Sequence, residues 1–175
     1  METVLYEGVE YHKVKDKWVD SNYMASPNGI QNELNFLQLK QTNLDDYNVY
    51  ELMKLGDNFK GGSSVGFAIK CYNKALEKSN EYETGRILPR LTSCLRKQGK
   101  PDEVIKIYSQ MKKKWGEGLF GSVALTSIAA AYCDLREYEN AIKCCKRAYA
   151  MEGGKGSGEL SAVWGRIKKE TNDID

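Results

Sequence analysis

The residues best suited to chemistry in this chain are five cysteines, one histidine, and a lysine set among glycines. Cys71, Cys94, Cys133, Cys144 and Cys145 are odd in number, and none lies in a C-x-x-C pair. A structural zinc site asks for ligand pairs at regular spacing. An odd cysteine count without an export signal argues against a disulfide framework. These cysteines read as small apolar packing residues, and no metal is expected. His12 is the sole histidine. With Glu10 or Asp16 nearby it is the one candidate for acid–base work, and Tyr11, His12 and Trp18 gathered in one groove would strengthen that idea. No Ser-His-Asp, Cys-His or paired-carboxylate set can be assembled. No catalytic residue is assigned, and no enzyme is expected. The run Gly153-Gly154-Lys155-Gly156-Ser157-Gly158 looks like part of a phosphate loop. A Walker loop needs G-x-x-x-x-G-K-[ST] between a buried strand and a helix. Here a helical pattern precedes the run and Gly156 follows the lysine, so the run reads as a connection and no cofactor is expected.

The elements that position these residues are bounded by composition. The chain has 175 residues, 41% of them hydrophobic, which suits one domain with an appendage and excludes a disordered chain. The 26 basic and 24 acidic residues leave a formal charge of +2, not the concentrated positive charge of a dedicated nucleic-acid binder. Lys112-Lys113-Lys114 and Lys168-Lys169 would serve an anion-binding alternative, but they sit at expected helix ends, where cations complement the macrodipole. No stretch approaches the roughly 20 apolar residues that span a bilayer, so no membrane partner is expected. The first residues carry an early acid and no apolar h-region, and the expected compartment is the cytoplasm.

A repeat organises most of the chain. Leu125, Ile128-Ala129, Tyr132, Ala141, Cys145 and Ala148 recur as Leu52, Leu55-Gly56, Phe59, Ala68, Tyr72 and Ala75. They recur again as Leu88, Leu91-Thr92, Leu95, Val104, Tyr108 and Met111. The small residues Gly56, Thr92, Ala129 and Gly165 step by 36, 37 and 36 residues. Small residues fit where two helices approach closely, and the aromatic residues Phe59, Tyr72, Tyr108 and Tyr132 fill the space between them. Leu55 and Ile128 are expected in the core. Asn48 with Glu51 suggests a capping box. Gly61-Gly62-Ser63-Ser64 suggests a turn ending in a Ser64 cap. Gly99-Lys100-Pro101-Asp102 suggests a turn with proline in the first helical turn, and Leu135-Arg136-Glu137-Tyr138 a tighter turn without glycine. The register places Pro89 near the start of its helix, where it is tolerated; a start near Glu81 would instead put it in the interior.

This pattern resembles the tetratricopeptide-repeat (TPR) family, whose signature is W-x-x-L-G-x-x-Y followed by A-x-x-x-F. Leucine replaces the first Trp, and the terminal Pro is absent. The resemblance covers about residues 48 to 170. It implies a mainly α fold, an α-α superhelix of three hairpins (about 49–82, 85–118 and 122–153) with a capping helix over 159–170 that carries Trp164. Residues 46–175 would form this array and residues 1–45 a separate segment. The resemblance also implies a groove lined by the first helix of each hairpin. By register the lining is Tyr50, Met53 and Asp57, then Arg86, Arg90, Ser93 and Lys97, then Val123, Ser127 and Ala130. The basic clamp that one TPR class uses for chaperone C-termini is not reproduced, because Met53, Asp57, Val123 and Ser127 stand at those places. Arg86, Arg90 and Lys97 would form a basic strip for an acidic peptide or phosphate, or a solvated face. The implied function is a scaffold binding a protein or peptide partner.

The N-terminal segment belongs to no recognised family. Val4-Leu5-Tyr6, Tyr11-His12-Lys13-Val14 and Trp18-Val19-Asp20 are aromatic and β-branched, which predicts a small hairpin or meander. Such a piece is not stable alone and needs a covering element, or a neighbour's edge in a homodimer. After a turn at Ser26-Pro27-Asn28-Gly29, the apolar residues Ile30, Leu34, Phe36-Leu37 and Leu39 predict a helix from about Gly29 to Lys40 that caps the first repeat.

Overall fold

The computed structural model describes residues 2–15, 17–26, 28–41, 43–61 and 64–171. Asp16, Pro27, Gly62 and Ser63, named above as an acid partner and as turn residues, lie outside the described residues, as do the side chains of Phe36 and Leu39. The chain divides into two compact units, Met1–Asp46 and Tyr47–Asp175.

In the first unit, β1 (Thr3–Tyr6), β2 (Val9–Val14) and β3 (Lys17–Val19) form an antiparallel meander in that order. Glu7 and Gly8 both have positive φ, 49° and 80°, which is the two-residue turn whose twist matches paired strands. Asp20, expected at the end of a strand, instead organises a turn: its Oδ1 accepts hydrogen bonds from the amides of Asn22 and Met24 at 2.8 and 3.0 Å. Short side-chain acceptors compete in this way with strand pairing. Helix α1 (Asn28–Gln41) packs on β1 and β3. Trp18 is the hub, fully buried with Val4 and Leu34. Its indole Nε1 donates to Asn35 Oδ1 at 2.8 Å, and its backbone N–H donates to Gln31 Oε1 at 3.0 Å. Gln31 Nε2 returns a bond to the Trp18 carbonyl at 3.1 Å. Helix α1 is thus the element that buries the apolar face of the sheet.

The second unit holds α2 (Val49–Phe59), α3 (Val65–Lys78), α4 (Glu81–Lys97), α5 (Pro101–Trp115), α6 (Ser122–Asp134), α7 (Tyr138–Met151) and α8 (Gly158–Thr171). Helices α2/α3, α4/α5 and α6/α7 pack as consecutive hairpins; α4 also packs on α6, and α8 on both α6 and α7. No helix among the described residues is long and apolar enough to cross a membrane. The Asn48–Glu51 capping box is present, with bonds of 3.0 and 2.9 Å. Pro101 opens α5 as expected. The glycine-free turn works because Arg136 itself takes φ 61°.

Several expectations need correction. Ser64 makes no cap hydrogen bond, since its backbone is already helical at φ −86°, ψ −2°. Helix α4 starts at Glu81 rather than 85, because Asn80 and Glu83 form a second capping box with bonds of 2.9 and 3.0 Å. Pro89 therefore lies inside α4. It offers no N–H to the carbonyl of Gly85, and its ring crowds that turn. Leu55 is only half-buried: α2 opens the array, with no preceding hairpin in this unit to cover it. Its counterparts Leu91 and Ile128 are fully buried.

The small-residue logic is visible at Gly56. A Cβ there would lie 2.5 Å from Cε1 of Tyr72, a fully buried ring. Ala68, Ala129 and Ala141 are likewise completely buried. Gly165, the fourth rung, differs: an added Cβ would meet nothing within 4 Å. Helix α8 is the last helix among the described residues, and this face of it is open. The aromatic fillers meet edge to face, Phe59 on Phe67 at 5.4 Å, Tyr108 on Tyr132 at 6.4 Å and Tyr149 on Trp164 at 5.9 Å.

Candidate functional site

The first helices α2, α4, α6 and α8 are cross-linked by charge. Asp57 on α2 accepts from Arg90 Nε on α4 at 3.1 and 3.2 Å, from the Tyr72 hydroxyl at 2.9 Å and from Lys60 Nζ at 3.3 Å. Partial burial pushes the Asp57 carboxyl up, but the bonds from Tyr72 and Arg90 outweigh it and hold it below its ordinary value. The Tyr72 phenol is raised by burial and then by the neighbouring carboxylate. Asp134 at the end of α6 continues the series. It lies 3.7 Å from Arg96 Nε on α4 and accepts from Arg166 Nη1 on α8 at 2.6 Å. Two carboxylates and three arginines thus tie four helices together.

Between α4 and α6 lies a depression of about 340 Å³. It gathers Arg90, Ser93 and Lys97 with Val123 and Ser127, with Lys60 and Glu159 also lining it. Five of the ten groove residues inferred from the repeat register therefore meet. Val123 is 58% exposed, and Lys97 is exposed with no ion-pair partner among the described residues. The other five fall elsewhere. Tyr50 is 67% exposed, on α2. Asp57 is engaged by Arg90. Arg86 stacks over Tyr82 at 5.9 Å and lines a separate, larger depression with Gly85 and Leu119. Met53 and Ala130 are buried. Ala130 is not available to a groove, because α4 and α8 both pack on α6 and leave that helix buried on nearly every side. Ser127 is 7% exposed and contributes only an edge.

The basic strip is also altered. Arg90 is held by Asp57, and its Nη1 donates to the Arg86 carbonyl at 2.8 Å. Lys97 and Arg86 have no ion-pair partner among the described residues, but only Lys97 lines this depression, Arg86 lying over Tyr82.

The N-terminal candidates do not assemble. In the β2 register, Lys13 faces Trp18 and His12 faces Val19. Tyr11 and Trp18 therefore share the face toward α1, and His12 points to the opposite one. His12 lines a small cavity with Asp20 and Tyr23 instead, and its Nδ1 is buried without a hydrogen-bond partner. All five cysteines are buried free thiols. Burial pushes Cys71 and Cys144 up to about 11 and Cys145 up to about 12, which disfavours the reactive thiolate. Among the described residues no group of three or more His, Cys, Asp or Glu could hold a metal ion. The glycine run links α7 to α8, with Gly153, Gly154 and Gly156 at positive φ. The Ser157 amide, which a phosphate loop would aim at its ligand, donates to Glu152 Oε2.

One arrangement was absent from the sequence reading. A further depression, about 510 Å³, lies between α5, α6 and α7 and is lined by Tyr108, Lys112, Glu117, Tyr132, Asn140, Lys143, Cys144, Lys146 and Arg147. The signal was there as spacing: Tyr108 and Lys112 are four apart, and Asn140, Lys143, Cys144 and Arg147 share one helical face.

Antiparallel helix pairs recurring at a 36–37-residue interval, with small-on-aromatic contacts, define a helical-hairpin repeat protein. A family model described as tetratricopeptide repeat matches residues 124–159, which is most of α6, all of α7 and the start of α8. That match supports a tetratricopeptide-repeat family protein, and the two earlier hairpins carry the same positions in register. No curated protein and no solved structure matches the chain.

Proposed function

We propose that this chain is a protein-interaction module that takes a peptide or protein partner along the groove face of its first helices. The observation that carries this reading is the depression between α4 and α6, where exposed Val123 and the unpaired Lys97 stand beside Arg90 and Ser93. An apolar contact next to an uncompensated cation suits a partner segment with an apolar side chain near a carboxylate. Residues 46–175 act as the binding array, residues 1–45 as an accessory unit, and the setting is cytoplasmic. The basis for the interaction role is the family, together with a surface that offers contacts rather than a reacting group. The test is affinity purification of the full chain from its native host, alongside a Lys97→Glu/Val123→Asp variant. Both substitutions fall on exposed positions and should leave the melting temperature unchanged. Proteins retained by the parent chain and lost by the variant are the expected result. Identical retention by both removes this face as the site.

A further inference from the structure

The depression between α5, α6 and α7 lies on the second-helix side and is independent of the groove reading. Four of its lining residues are cations and one is a carboxylate. Glu117 stands in the short 3-10 turn Glu117–Leu119 that follows α5. Its carboxylate pairs with Lys112 and, at 3.2 Å, with Arg147 Nη1. Arg147 Nη2 also donates to the Glu117 carbonyl at 2.9 Å. Lys143 and Lys146 line the same space and have no ion-pair partner among the described residues. The floor is Tyr108 and Tyr132, each 8% exposed and locked edge to face.

We propose that this depression binds a phosphate monoester, and that Glu117 holds the anion's place in the free chain. A carboxylate brings one charge, and it already engages Lys112 and Arg147, so two lysines remain uncompensated. A phosphate monoester brings about 1.5 to 2 negative charges and three acceptor oxygens at neutral pH. That matches an arginine fork and several lysines better than a second carboxylate does. The cations are placed by rigid elements: Lys112 projects one turn beyond Tyr108 on α5, while Lys143 and Arg147 flank buried Cys144 on α7. Glu117 is placed by a loop. Its side chain is 48% exposed and follows Gly116, whose φ is 81°. It can swing into solvent when a stronger anion enters. The space exceeds that of a phosphate group alone and leaves room for its carrier.

The test uses the full isotope-labelled chain, titrated at low ionic strength with phenyl phosphate, with benzoate as the carboxylate control, and with a phosphoserine peptide beside its unphosphorylated form. Saturable amide shifts are expected around residues 108–119 and 140–147, with phenyl phosphate roughly tenfold tighter than benzoate, as charge-assisted bonds imply. Glu117→Gln is expected to tighten binding several-fold, because the resident competitor loses its charge. Lys143→Glu/Lys146→Glu should weaken binding roughly tenfold or more at an unchanged melting temperature. A tighter peptide arm identifies a phosphorylated partner segment as the source, and a tighter phenyl phosphate arm a free metabolite. Absence of saturable shifts, weaker binding by Glu117→Gln, or unchanged binding by the lysine variant overturns the proposal.

Discussion

Gly56 and Gly165 occupy equivalent repeat positions on α2 and α8, yet a methyl group at each meets opposite surroundings. At Gly56 it would press on the Tyr72 ring at 2.5 Å. That ring cannot withdraw easily, because it is fully buried and its hydroxyl is bonded to Asp57 at 2.9 Å. At Gly165 the methyl would enter open space. Replacing an interior helical glycine by alanine gains about 1 kcal/mol of helix propensity, while overpacking a core costs about 1–3 kcal/mol. The clash should win at Gly56 and be absent at Gly165. Gly56→Ala is therefore expected to lower the urea midpoint and Gly165→Ala to raise it, with the m-value unchanged in both. Two shifts of the same sign would mean that the close approach at Gly56 is not what keeps glycine there.

Helix α4 shows how local and repeat-wide signals compete within one element. It has 17 residues where α2 has 11, mostly because the Asn80–Glu83 box starts it one turn early. That box was present in the sequence, but register carried over from α2 pointed to a later start, which also kept Pro89 out of the interior. The capping bonds prevailed. Pro89→Ala restores a donor to the Gly85 carbonyl and should raise stability by about 1–3 kcal/mol, measured by chemical denaturation. Loss of stability instead would show that the Gly85 carbonyl already has a partner that the restored N–H disturbs. Features set within a few residues were legible in the same way: the Asn48–Glu51 box, Pro101 at the start of α5, the small and aromatic rungs, the aromatic strands of the meander. Features that depend on distant packing were not. The burial of Ala130 depends on how helices distant in sequence, α4 and α8, pack on α6. Arg90 looked like a free cation because its partner Asp57 lies 33 residues away.

At the scale of the whole array, α8 is a lightly held helix of the second unit, and Asp134 adds a polar tie to it. Only Leu160 and Ile167 of α8 are buried, Trp164 adds an edge contact to Tyr149, and a glycine-rich loop precedes it. Asp134 binds Arg166 on α8 and lies near Arg96 on α4, so one carboxylate joins the last three first helices. Partly exposed ion pairs are individually worth little, about 0.2–1 kcal/mol, but a helix with few buried contacts opens at a correspondingly low free energy. In Asp134→Ala, the amides of α8 should therefore exchange with deuterium roughly threefold to tenfold faster, as a loss near 1 kcal/mol implies. Those of α2 and α3 should keep their parent rates. Arg166→Ala should reproduce the effect and Arg96→Ala only part of it, because its separation from Asp134 is longer. The consequence reaches the binding face. Opening α8 frees the surface around Ser127 on α6 and removes Glu159 from the rim of the depression. A partner that prefers the opened array would then bind Asp134→Ala more tightly than the parent chain, and one that uses only Lys97 and Val123 would not distinguish them. Equal exchange of α8 in the parent and in Asp134→Ala would assign its attachment to the apolar contacts of Leu160, Trp164 and Ile167.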